Sequence, residues 1–119
     1  MSESGFDPKH AMALYRFKSR ETGDLVMTSE HGKRLLEILG KDPSGPGIVL
    51  PEQMPGAIDA IRQAIAAEEA ELKRLTEEAA ARGEPPPDFD AVSLRMRSVP
   101  FIEMLQRCQG AGVEVVWGL

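Results

Sequence analysis

Asparagine is absent from this chain, and cysteine, tryptophan and tyrosine occur once each. Without asparagine there is no acceptor for N-glycosylation. The lone Cys108 cannot close an internal disulfide, which excludes a disulfide-stapled secreted scaffold. No apolar run approaches the ~18–20 residues that a membrane-spanning helix needs. Basic residues are outnumbered 14 to 19, giving a net charge of −5 and a pI near 5.0. The basic footprint that neutralises phosphates is missing, which argues against nucleic acid as a partner. Residues 1–11 hold neither an apolar segment nor a small-residue cleavage site, so they do not read as a secretory signal. They read as a flexible tail ahead of a second methionine, Met12. The expected compartment is the cytoplasm, with no membrane contact.

What is present is an ordinary globular composition. The chain has 119 residues, 42% hydrophobic and 28% charged, which fits one domain over residues 12–119 with enough length to bury a core. The acidity is local. Residues 1–54 carry 7 basic and 8 acidic groups, residues 55–90 carry 4 and 9, and residues 91–119 carry 3 and 2.

Residues 13–19 alternate, with Tyr15 and Phe17 on one parity and Leu14, Arg16 and Lys18 on the other, as in a half-buried strand. The polar SRETG stretch is a hairpin connection and residues 24–28 a second strand. Ser29 has the chemistry of a helix N-cap, and Leu35, Leu36 and Leu39 make a helical stripe over residues 30–39 that Gly40 ends. Residues 40–56 hold four glycines and four prolines among seventeen positions. Regular structure is not expected to run through them, although the island Ile48-Val49-Leu50 suits a loop anchor or a short edge strand. Ile58, Ile61, Ile65, Leu72, Leu75 and Ala79 mark a long amphipathic helix over 55–82. Glu68 breaks that stripe: either it lies at the end of the buried portion, or it pairs with an arginine such as Arg95. Glu69 with Lys73, and Glu78 with Arg82, have helical ion-pair spacing.

Gly83 and Pro85-Pro86-Pro87 end the long helix. Residues 92–97 read either as a strand, by alternation, or as the start of a helix over 93–109 capped by Ser93 and kinked or restarted at Pro100; the helix is favoured. Residues 113–118 form a last strand. The expected fold is a two-layer α+β domain: a small antiparallel or mixed sheet of about three strands, the last strand joining the hairpin, covered by about three helices.

The segments MALYRFKS, GIVLPEQMPGAI and VSLRMRSVPFIEMLQRCQGAGVEVVWG resemble the small bacterial proteins grouped as domain-of-unknown-function family 1840. The resemblance spans residues 12–119, is most specific at the C-terminal end, and implies a cytoplasmic bacterial protein. It implies no activity, cofactor or site residue.

The residues themselves carry no recognisable catalytic machinery. His10, His31 and Cys108 lack the spacing of a zinc site. Cys108 with His31 is the one Cys/His pair outside the tail, but Cys108 continues an apolar stripe near a helix end, where core packing is the expected role. No phosphate loop, dinucleotide loop or nucleophile elbow occurs. No catalytic residue, metal or cofactor is therefore assigned. Ser93, Arg95 and Arg97 form the one candidate ligand-binding set, since guanidinium groups and free N–H groups at a helix start suit an anion.

The leading expectation is a small interaction or regulatory module without catalysis, contacting a protein partner or a second copy through helix 55–82, or using the 40–56 loop. An ordered loop with no exposed apolar surface would count against it. The alternative is an anionic-ligand protein or enzyme with a site near Arg95, Arg97 and that loop.

Overall fold

The computed structural model describes residues 14–86 and 94–118; the expected tail and Ser93 lie outside them. β1 (Leu14–Phe17) and β2 (Leu25–Thr28) form the expected antiparallel hairpin, in register Leu14↔Thr28 through Phe17↔Leu25. Phe17 is fully buried, while Tyr15, Leu25 and Met27 pack partly buried beside it.

α1 (Ser29–Ile38) follows without a gap. Its N-cap is Thr28, not Ser29, and no side-chain cap bond forms. The Thr28 hydroxyl lies instead against Nδ1 of His31. The helix stops as its glycine predicts: Gly40 N–H reaches Glu37 O at 3.0 Å and Lys41 N–H reaches Leu36 O at 2.8 Å, with Gly40 at φ +75°.

The 40–56 segment is more regular than its composition suggests. Gly47–Val49 form β3, and a 3-10 turn, Pro51–Gln53, leads into α2. Gln53 Oε1 accepts the Leu50 N–H at 2.9 Å, fixing the turn. α2 (Met54–Ala81) has 28 residues, roughly 42 Å of helix. Met54, Ile58, Ile61 and Ile65 bury its first half, whereas Leu72 and Leu75 are only half-buried. α3 (Leu94–Ala111) passes through Pro100 without ending. It starts level with Glu68 and Glu69 and runs back toward the 3-10 turn. Residues 94–97 are thus helical, which excludes the strand reading for them.

β4 (Val115–Trp117) pairs antiparallel with β3, in register Gly47↔Trp117 to Val49↔Val115. The expected three-stranded sheet is therefore two two-stranded sheets. Among the described residues they meet at one bridge, Lys18↔Val116, with N···O distances of 2.8 and 2.9 Å. The apolar island at 48–50 makes the difference, because it supplies β4 with a second neighbour. The resulting order is β2-β1-β4-β3.

The inner face meets α3 in an aromatic cluster: the Phe17 ring lies 4.8 Å from Phe101 and 5.8 Å from Trp117, centroid to centroid. Burying a phenylalanine contributes about 1.5–3 kcal/mol. The outer face carries Leu14, Val26 and Ile48, exposed by 55%, 41% and 39%. No helix among the described residues is long and apolar enough to cross a membrane.

Candidate functional site

The helical form of α3 decides the placement of the predicted arginines. Residues two apart on a helix lie about 200° apart around the axis and do not share a face. Arg95 turns to α2, where it donates from Nε to Glu69 Oε2 at 2.7 Å and from Nη2 to Glu69 Oε1 at 2.9 Å. This fork holds the Glu69 carboxyl below the usual carboxylate range and raises the guanidinium further. Arg97 turns to α1 and donates to His31 Nδ1 at 2.7 Å. An arginine can only donate, so Nδ1 is the acceptor in this pair. The two guanidinium groups are not brought together, and Ser93 lies outside the described residues.

Glu68 has a different partner from the one expected. Arg95 goes to Glu69, and Glu68 Oε1 pairs with Arg34 of α1 at 3.0 Å. Its other oxygen accepts the Leu94 N–H at 2.9 Å. One carboxylate, 20% exposed, thus caps α3 from a neighbouring helix and ties in α1. The expected helical pairs are corrected likewise: Glu78 meets Arg74 at 2.5 Å, and Arg82 meets Glu84 at 3.0 Å.

Cys108 is fully buried, its Sγ 3.0 Å from Ser19 Oγ, while the His31 ring engages Thr28 and Arg97. Among the described residues no group of three or more His, Cys, Asp or Glu gathers as metal ligands.

The 40–56 segment builds the more distinctive feature. A cleft of about 250 Å³ lies between β1 (Leu14, Tyr15, Arg16), the turn 43–46 and the end of β4 (Trp117, Gly118). Asp42 shapes the turn by accepting from Ser44 N at 2.9 Å and Ser44 Oγ at 2.6 Å, bonds that hold its carboxyl below the usual range. The Tyr15 hydroxyl donates to Pro43 O and fastens the turn to β1. Burial, and then the Asp42 charge, push the Tyr15 phenol up, so it stays a neutral donor. Trp117 is 1% exposed, and its indole Nε1 has no hydrogen-bond partner. Its ring occupies the space where Gly47 would carry a Cβ. Sequence reasoning missed this cleft because its walls come from three distant segments. The one local signal was Gly/Pro density.

A family model described as "Domain of unknown function (DUF1840)" matches residues 13–117. The chain belongs to the DUF1840 family. No curated protein and no solved structure matches it. The DUF1840 match runs from before β1 to the last residue of β4. It takes in the Lys18–Val116 bridge, the Glu68 cap and most of the cleft wall.

Proposed function

We propose that this protein is a small cytoplasmic interaction or regulatory module that works by binding and not by catalysis, with its contact surface on the 40–56 segment. The observation that carries this reading is exposed apolar surface on an ordered loop. Ile48 and Leu50 are 39% and 37% exposed, and Leu14, at 55%, stands on the cleft wall. Apolar side chains held in place by strand pairing lose little further entropy on binding, and a partner gains their burial. Helix 55–82 is the second candidate surface, for a second copy. Its half-buried Leu72 and Leu75 favour that use, although Glu69, Glu71 and Glu78 already hold internal arginine partners.

One observation favours the alternative, an anionic ligand. Arg97 is half-buried beside the start of α1, whose Thr28 makes no side-chain cap bond. A phosphate or carboxylate there would compete with His31 for the guanidinium.

A thermal-shift panel of phosphates, nucleotides, small carboxylates and divalent metals separates the two readings. Ligand at ~100 Kd contributes about 2.7 kcal/mol. The expected panel is flat, with a photo-crosslinker at position 48 capturing a defined partner that one at exposed Gln106 does not. A saturable shift abolished by Arg97→Ala, with no position-specific crosslink, establishes the ligand reading in its place.

A further inference from the structure

The strands on either side of the 43–46 cleft part after a single bridge. Lys18 and Val116 exchange both backbone bonds, so an antiparallel ladder continued from them would next bond Arg16 to Gly118. That pair does not form. Gly118, at φ +76°, turns the end of β4 against Pro46, whose Cα lies 2.7 Å from the position a Cβ would take. Tyr15 meanwhile holds the turn at Pro43. Backbone groups alternate in direction along a strand. Lys18 points its N–H and C=O at β4, so Arg16 and Leu14 point theirs the same way, into the cleft. Tyr15 and Phe17 spend theirs on β2.

We infer that this opened register is a docking site for an extended peptide segment of a partner protein, added as a strand along β1. The inference rests on the interaction-module reading and names its site and the kind of partner. The free N–H and C=O groups of Leu14 and Arg16 offer two ladder positions ~6.8 Å apart. Such groups bind water until another backbone replaces it. The walls are apolar or neutral: Leu14, Pro43, Pro46 and Trp117 line the cleft, and Arg16 is paired with Asp24 at 3.3 Å. The segment that fits is therefore extended, about two to three residues long at its core, and uncharged where it passes Leu14 and the prolines of the turn.

A displayed library of random heptapeptides, selected on the full chain, tests this. Selected peptides are expected to slow hydrogen exchange at the Leu14 and Arg16 amides. N-methylation of alternate peptide amides should weaken binding by about tenfold or more. Gly45→Trp should do the same, because Gly45 lines the cleft and a Cβ there meets nothing within 4 Å, so a bulky side chain is accommodated at the site itself. Gly23→Trp, equally open but in the hairpin turn, should change affinity less than about twofold. No enriched binder, protection elsewhere, or N-methylated peptides that bind undiminished would overturn the strand site. A position-specific crosslink from residue 48 alongside a failed selection would leave the interaction-module reading standing and remove this inference alone.

Discussion

Gly47 and Gly45 sit two residues apart and have opposite environments. A Cβ on Gly47 would lie 2.2 Å and 2.6 Å from Cζ2 and Cε2 of Trp117. That ring is fully enclosed, so neither it nor β3 moves freely. Gly47→Ala is expected to cost about 1–3 kcal/mol, as overpacking of a core does. Gly45→Ala meets nothing within 4 Å and is expected to stay within about 0.5 kcal/mol. Urea midpoints of the two variants check this; equal losses would place the effect in the loop backbone and not in the ring seat. The composition of 40–56 marks a glycine-rich turn, but not which glycine an indole lies against. Glu68 was legible in the same partial way. A carboxylate in an apolar stripe announces a partner, and only the helix arrangement selects Arg34 and the Leu94 amide over Arg95.

At the scale of elements, two adjacent carboxylates join α2 to α3 by different means. Glu68 accepts a backbone N–H inside the helix junction, whereas Glu69 meets Arg95 in water. Glu68→Ala is expected to cost about 1–2 kcal/mol, comparable to losing a helix cap. Glu69 acts through pH. Its carboxyl is held low in the folded state, so the unfolded chain binds its proton more readily. Its contribution is present above the unfolded value of about 4.3 and is lost as pH falls through the lower folded value. Melting temperature should therefore fall less steeply in Glu69→Gln than in the parent between about pH 5 and pH 3. Identical acid limbs would show that the exposed fork contributes nothing. The elements were readable from local rules: period two at 14–17, stripes with glycine stops at 30–39 and 55–82, and a strand at the C-terminal end. The strand-or-helix question at 94–97 was not readable, because alternation and a helical stripe fit the same residues and packing on α2 decides between them.

For the whole molecule, Phe17 is the hub. It reaches Phe101 of α3 and Trp117 of β4 from the hairpin, so the two small sheets and the helices share one core. Unfolding should be a single transition. The fluorescence of Trp117, the one tryptophan, and far-UV circular dichroism should give the same urea midpoint. Phe17→Ala should lower both midpoints together, by the equivalent of about 3–5 kcal/mol of stability. Midpoints that separate would mean that the hairpin and the helical layer unfold as independent units. Helix content, strand content and an α+β class follow from the sequence at this scale, but the four-strand order does not. Whether Ile48-Val49-Leu50 is an anchor or a strand depends on where β4 lies, and no local pattern carries that.

The sequence by itself determined the kind and position of nearly every element, the buried faces of Phe17, Ile58, Ile61 and Cys108, and the family. These follow from side-chain period, capping residues and glycine or proline stops, each a property of a few neighbouring residues. Only the tertiary structure decided that β4 lies between β1 and β3, that Arg95 and Arg97 diverge to Glu69 and His31, and that a cleft opens beyond the Lys18–Val116 bridge. Each of these depends on which distant segments meet. A one-residue choice, such as the turn of Gly118 toward Pro46, redirects a strand and so sets which backbone groups are paired and which are left to face the cleft.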